Sequence, residues 1–364
     1  MNNIHDIPKA LCSQGEKIRL DCHIAIVGYG YIGAIHAEYI RSCGFMNLTG
    51  IVDIAETRRQ YAASQGIHAY HSFEEMLGDT RVEIVLITTP NHLHCPQTIQ
   101  CLNAGKHVIR EKPIALSVPE LQRMFDAAQA NGRLLTAHMN RRWDADFLGV
   151  MQVLRSGMLG ALYDIESRVH GSRGIPAGWR REKACGGGML YDWGPHLVDQ
   201  ILLANPAARV EKVFCSFDRR STFEVDDGFH LSMFFGNGVR AFAEAATCNF
   251  LPLPRFYLRG NDGTALFQDW QHPCRVAKLR PGERTETNPA GMTRLMAPRD
   301  EKELRVEAME LPKTEKGLFF QNFCSAVRGD AELAVTQEQL LKLTKVLDAA
   351  FLSGSRGEAA EIYE

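Results

Sequence analysis

The sequence has no long hydrophobic run, no patterned cysteines and almost no net charge, and each absence removes a class of function. Nowhere do about 18 apolar residues follow one another, so no membrane-spanning helix is expected. The ten cysteines are scattered, without CxxC spacing or a disulfide-like framework. They read as reduced thiols, mostly buried as small hydrophobes, which points to the cytoplasm. A formal net charge of -2 and a pI near 6.7 give no reason to expect nucleic acid or an anionic membrane as partner. Residues 1–20 lack an apolar core of secretory type and are expected to form an N-terminal arm. There is no internal repeat and no low-complexity tract.

What is present is an alternation of strand and helix patterns from residue 22 to about 137. "CHIAIVGYG" is an apolar strand ending in glycines, and "YIGAIHAEYIRSC" has helical spacing. "VEIVLITTP" is apolar throughout, as expected of a strand covered on both faces in a parallel sheet. The pattern predicts a doubly wound Rossmann domain over 21–137. After residue 138 strand patterns dominate. In "GFHLSMFF", Phe229, Leu231, Met233 and Phe235 alternate with more polar residues, the mark of a sheet with one wet face. Two helices close the chain, and residues 280–303 read as an exposed polar loop. Residues 138–364 are therefore expected to form a second α/β domain.

"GYGYIG" sets Gly28, Gly30 and Gly33 between a strand and a helix that begins near Tyr31 and Ile32. The first glycine makes the turn, the second admits a pyrophosphate and the third lets helix and strand pack closely. Asp53 ends the next strand, twenty residues after Gly33, where it can accept from ribose hydroxyls. It repels a 2′-phosphate, which favours NAD over NADP. Arg58 and Arg59 blunt that argument, so NADP is not excluded.

Two further segments follow strands at the same sheet edge. "TTPNHLH" carries Thr89, Pro90, Asn91 and His94, suited to ribose and nicotinamide contacts. His92 and His94 have HxH spacing, but no carboxylate cluster accompanies them, and no metal is expected. In "REKPIAL", Glu111 and Lys112 precede Pro113; Lys112 reads either as a solvated surface lysine or as a donor to a substrate oxygen. A third segment is "GGGMLYDWGPHLVDQ", 186–200. Pro195 confines the helix start to about Asp192–Gly194. Asp192 then reads as an N-cap or a catalytic acid, and His196 as a core histidine or a general base. The glycines read as a loop that lets cofactor and substrate approach the backbone. Arg141, Arg142, Trp179 and Trp193 are candidates for substrate contact.

Together, "GYGYIG", "TTPNHLH", "EKP" and "GGGMLYDWGPHLVD" resemble the glucose-fructose oxidoreductase / inositol dehydrogenase / MocA family over about residues 22–200. The resemblance implies a Rossmann domain followed by a domain with a large open-faced, mostly antiparallel sheet. Through that sheet such proteins form homodimers or homotetramers. It implies that Lys112, Asp192 and His196 are catalytic, and that a secondary alcohol of a sugar or cyclitol exchanges hydride with NAD(P). Two alternatives stand beside this. One is a glycoside-processing enzyme that uses tightly bound NAD catalytically; the other is a dinucleotide-dependent sensor without turnover.

Overall fold

The computed structural model describes residues 21–282, 299 and 302–363. The expected N-terminal arm and most of the 280–303 loop lie outside them. Among the described residues no helix is long and apolar enough to cross a membrane.

Five parallel strands form the first sheet: β1 (Cys22–Val27), β2 (Met46–Val52), β3 (Ile84–Ile87), β4 (His107–Arg110) and β5 (Leu135–Ala137). Between them run α1 (Tyr31–Ser42), α2 (Glu56–Ser64), α3 (Phe73–Gly78), α4 (His94–Asn103) and α5 (Val118–Ala130). Every residue of β3 is buried, as its unbroken apolar run requires. The strand order is β2-β1-β3-β4-β5. It reverses between β1 and β3, so the loops after those two strands diverge and leave a crevice at the carboxyl edge.

The chain then forms α6 (Ala145–Arg155), β6 (Leu162–His170), the short α7 (Met189–Asp192) and α8 (Gly194–Ala204). Seven strands follow: β7 (Val210–Asp218), β8 (Gly228–Phe235), β9 (Arg240–Ala246), β10 (Phe256–Gly260), β11 (Gly263–Phe267), β12 (Cys274–Leu279) and β13 (Leu304–Met309), with β6 inserted between β9 and β10. Helices α9 (Leu318–Arg328) and α10 (Gln337–Arg356) and the two-residue β14 (Ala360–Glu361) complete it. The second sheet has nine strands and is antiparallel except for the β6–β9 pair. Phe229, Leu231 and Met233 face the covering helices and are fully buried, while His230, Ser232 and Phe234 face outward.

The expected fold class is the observed one. Sequence patterning missed α6, β12 and β13. The last two form an edge pair whose polar alternation, Arg275 beside Val276 and Glu307 beside Val306, looks loop-like in isolation.

Helix α10 does not stay with the second sheet. It packs against β7 and α8 on one side and against α5 and β5 on the other. Asp348 accepts from Val118 N at 2.9 Å. The second half thus fastens back onto the first, which fixes the crevice against α7 and α8.

Candidate active site

The dinucleotide groove is built by exclusion at two glycines and by vacancy at a third. A Cβ on Gly33 would run into Gly28 O, and one on Gly28 would lie 3.0 Å from the Thr88–Thr89 backbone. Neither position admits a side chain. A Cβ on Gly30 meets nothing nearer than Arg58 Nη1 at 3.8 Å, so space is kept there for a ligand rather than for protein. Helix α1 starts at this point without a side-chain cap, which leaves its first amides for an anion. Tyr31 is exposed and Ile32 partly buried in that first turn. These features fit a bound pyrophosphate.

Asp53 is buried at the end of β2. It accepts from Tyr29 N at 2.7 Å, Ala55 N at 2.8 Å and Arg58 Nη1 at 3.2 Å. The carboxylate is thus fixed at the place where a ribose would lie.

In the loop after β3, Thr88 Oγ1 donates to Gly28 O at 2.5 Å and Thr89 Oγ1 to Gln97 at 2.6 Å, while Pro90 stays half-buried. His94 is placed differently from expectation. It is buried behind the loop, with Nε2 donating to Thr89 O at 2.7 Å and Nδ1 against the Arg110 guanidinium. Burial and the Arg110 charge hold its pKa well below the usual imidazole value. A neutral ring with both nitrogens engaged shapes the loop and does not face the groove. His92 is exposed.

Glu111 is also a strut. Its Oε1 accepts from His36 Nε2 at 2.7 Å and His138 Nδ1 at 2.9 Å. Burial raises the carboxyl pKa, but the His138 and His36 donors outweigh it and hold the group well below the carboxylate range. These three side chains bring donors within 4.8 Å of one another, a spacing that could hold a cation. The two hydrogen bonds account for the arrangement as it stands. The cluster ties α1, β4 and the end of β5 together directly beside Lys112.

Lys112 Nζ reaches across to the second half. It donates to Asp192 Oδ1 at 2.5 Å and to Asp192 O at 2.7 Å, across 80 residues of sequence. Burial pushes the Asp192 carboxyl up, but Lys112 and then Arg180 more than compensate, and its pKa is lowered. Asp192 is therefore not an N-cap. It ends α7, Trp193 occupies the cap position of α8, and Pro195 sits in the first turn as its missing N–H requires.

His196, one turn into α8, is 5% exposed. Neither ring nitrogen has a hydrogen-bond partner among the described residues, and Nδ1 is fully enclosed. Burial, then the Lys112 and Arg141 charges, hold its pKa well below that of a free imidazole. An enclosed polar atom without a partner is costly, and such costs are retained mostly where they serve chemistry.

The two candidate arginines separate. Arg141 lies over the Trp193 ring at 4.5 Å and the Trp270 ring at 5.0 Å, beside His196. Arg142 is 2% exposed and turned inward: it pairs with Asp199 at 2.6 and 2.8 Å and donates to Ala334 O and Gln339. Four of its five N–H donors are engaged in the interior, so the expected contact at Arg142 gives way to a structural ion pair.

The glycine triad corrects a second expectation. Gly186 has φ +71° and its Cβ would lie 2.8 Å from Leu116; a Cβ on Gly187 would strike Arg180 O, and one on Gly188 (φ +106°) would strike Asp226 Oδ1. The space beside these glycines is filled by protein, not by ligand. Asn91 Nδ2 donates to Gly186 O at 2.8 Å, and Asp226 accepts from Leu190 N at 2.7 Å. The triad is where the loop after β3, the 179–182 turn and the start of β8 converge. Sequence reading missed Arg180, Asp226 and Trp270. "WRR" placed a cation next to a noted tryptophan, a usable signal for Arg180. Trp270 sits 77 residues beyond Trp193 with no local pattern to mark it.

A family model described as an oxidoreductase family with an NAD-binding Rossmann fold matches residues 22–139. A second, the GFO/IDH/MocA C-terminal domain, matches 147–266. An NADP+-dependent scyllo-inositol 2-dehydrogenase of Bacillus subtilis is 27% identical over 91% of this chain and 93% of its own. A 1,5-anhydro-D-fructose reductase of Ensifer adhaerens is 28% identical over 92% and 98%. The crystal structure of an NAD-binding protein from Listeria innocua superposes with a TM-score of 0.85, at 34% identity over 94% of this chain and 97% of that one.

Proposed function

Because the chain belongs to the GFO/IDH/MocA oxidoreductase family and carries its NAD-binding Rossmann domain, we propose that it is a dehydrogenase of a secondary alcohol in a sugar, a cyclitol or a derivative of one. The observation that carries this reading is the Lys112–Asp192 pair at 2.5 Å, which joins the dinucleotide half to the second half beside an unpartnered His196. When bound, the nicotinamide supplies the hydride acceptor.

This chain's residues do the rest. Lys112 Nζ, anchored by Asp192, donates to the reacting hydroxyl oxygen and stabilises the negative charge that develops there. His196 is held neutral, so a ring nitrogen can accept the hydroxyl proton; Nε2, the one not enclosed, is the receiving atom. Trp193, Arg141 and Trp270 stack together beside His196. Trp179, half-buried at the mouth, offers a ring face to the substrate. Asp53, fixed by two backbone amides, favours NAD over NADP.

A panel of polyols, aldoses and inositols with NAD and with NADP, followed at the nicotinamide absorbance, tests the reaction. Lys112→Ala and His196→Ala should each lower kcat by roughly 10²–10⁴-fold. Near-wild-type turnover in both variants refutes the assignment.

Cytoplasmic residence and assembly through the second sheet are part of the same proposal. The outward face of that sheet carries Tyr163, Phe214, Phe234, Phe242 and Tyr257 between ion pairs such as Arg168–Glu244, a surface suited to a second copy. Sedimentation of the purified protein as a monomer at micromolar concentration rules the assembly out.

A further inference from the structure

One residue breaks the pattern of the dinucleotide half. Strand β4 runs between β3 and β5, and its last residue is Arg110. A strand covered on both faces is apolar, as Val108 and Ile109 are. Arg110 is 0% exposed in the same place. Among the described residues its hydrogen-bond partners are Met124 Sδ at 3.7 Å, His94 Nδ1 and Pro113 O, none of them an anion. Its Nε has no partner. The nearby carboxylates are engaged elsewhere: Glu111 with His36 and His138, and Glu120 with Leu116 N at 3.1 Å. A buried cation without a bonded counter-ion is costly, and burial holds its pKa well below the usual guanidinium value. A position that breaks a local rule at such a cost is where function is expected.

Arg110 joins the two loops at the carboxyl edge of β3 and β4. Its Nη2 donates to Pro113 O, in the turn that carries Lys112, and to Nδ1 of His94. A guanidinium only donates, so Nδ1 is the accepting nitrogen of a neutral ring and the ring proton sits on Nε2. That proton goes to Thr89 O at 2.7 Å. The same loop continues to Asn91, whose Nδ2 donates to Gly186 O at 2.8 Å. A directed series of hydrogen bonds thus runs from the end of β4 through His94 to the loop after β3, with a branch to the turn of Lys112. The two hydrogens of Nη2 lie in one rigid plane, so holding Pro113 O and His94 together also fixes their spacing.

We propose that Arg110 is a positioning residue for the nicotinamide end of the bound dinucleotide: through His94 it sets the loop of Thr89 and Asn91, and through Pro113 it sets Lys112. Being fully enclosed, it touches neither cofactor nor substrate. Its effect on turnover rests on the dehydrogenase reading above; its effect on nucleotide binding does not. The pyrophosphate and adenosine end is built separately, from the glycine turn and Asp53, and owes nothing to Arg110.

The test uses the full chain and two nucleotides, NAD and ADP, the second of which lacks the nicotinamide end. Binding is measured by calorimetry. Arg110→Met should bind ADP within about twofold of wild type and NAD roughly tenfold or more weakly. His94→Leu, which keeps the cation and loses the link to Thr89, should show the same split. In the double variant the loss should stay close to that of the larger single one, because the two residues act in series. With a polyol that wild type oxidises, kcat of Arg110→Met at saturating NAD should fall roughly tenfold or more, since Lys112 is no longer fixed. Equal losses of ADP and NAD affinity, expected of a side chain that only supports the sheet, overturn the proposal. Wild-type affinity for both nucleotides overturns it too, as do losses that add in the double variant. Should Arg110→Met not fold, His94→Leu decides by the same split. A split in affinity with no polyol oxidised by wild type leaves this proposal standing and removes the dehydrogenase reading. Oxidation of a polyol by wild type, with kcat and both affinities unchanged in Arg110→Met, does the reverse.

Discussion

The two glycine clusters look alike in the sequence and differ in the molecule at one position, Gly30. At 28–33, Gly30 faces open space, and the nearest atom to a would-be Cβ is a mobile guanidinium at 3.8 Å. At 186–188, each would-be Cβ is blocked by neighbouring protein: Leu116, the Arg180 carbonyl and the Asp226 carboxylate. In the first cluster Gly28 and Gly33 are blocked by backbone, and Gly30 alone withholds a side chain where a ligand can enter. The second withholds side chains so that three chain segments can meet. Glycine in a site is thus a statement about close approach, and only the neighbours say whether protein or ligand does the approaching.

The comparison can be broken by placing one methyl group in each cluster. Gly188→Ala combines φ +106° with a collision at Asp226, and should destabilise the protein by about 3–5 kcal/mol. Urea unfolding read by tryptophan fluorescence would show it; an unchanged midpoint would mean that the convergence point is pliable. Arg142→Ala serves as the structural control, because it leaves Asp199 charged and unpaired in the interior. A loss of about 3–5 kcal/mol is expected there too, and substrate KM in the folded fraction should stay close to wild type. Gly30→Ala should do the converse. Its stability should shift by less than about 1 kcal/mol, while NAD affinity falls on the order of a hundredfold, read by calorimetry on folded protein. Equal unfolding midpoints and equal NAD affinity in Gly30→Ala would remove the argument for a ligand at that position.

Two smaller effects sharpen the contrast. His196 is held neutral by burial and by the Lys112 and Arg141 charges, so protonating it requires acid stronger than a free imidazole would need. The acid limb of kcat/KM should therefore fall below pH 6.5, and a limb centred above that value would point to another base. Asp226, which closes the glycine triad, is pushed up by burial to about 7, from 3.8. A carboxyl with a raised folded-state pKa contributes most below its unfolded value and loses that contribution as pH rises toward the folded one. Between pH 4 and pH 7 the melting temperature of wild type should thus decline by several degrees relative to Asp226→Asn, which keeps the acceptor for Leu190 N and cannot ionise. Parallel melting curves would mean that Asp226 is charged throughout.

Much of this was legible before the fold was seen, and the boundary has a physical cause. The Rossmann half reads clearly because its signals are local: β1, the glycine turn and α1 lie within about 20 residues, and each glycine has a separate steric task. Lys112 and Asp192 were legible as candidates by residue type and position, but their 2.5 Å contact was not, because it spans 80 residues and two sheets. The placements of His94 and Arg142 were not legible for a related reason. Sequence places a polar residue at a sheet edge, yet the Arg110 charge behind His94 and Asp199 beneath Arg142 decide which way each side chain is drawn. In the second half, Trp270 and the edge strands β12 and β13 left little trace, since the open face of a sheet imposes no strict apolar alternation.

The return of α10 across both sheets also bears on the order in which a newly made chain acquires chemical competence. Lys112, Asp192 and His196 have all been synthesised once α8 is complete. Yet Leu347 of α10 packs against Gly194 at the start of α8, while Asp348, the next residue, holds Val118 at the start of α5. A ribosome-bound chain ending at α8 therefore owns the proposed reactive groups without the brace that α10 supplies. The groove between β1 and β3 needs only strands made early, whereas the site that spans both sheets waits for the last helix.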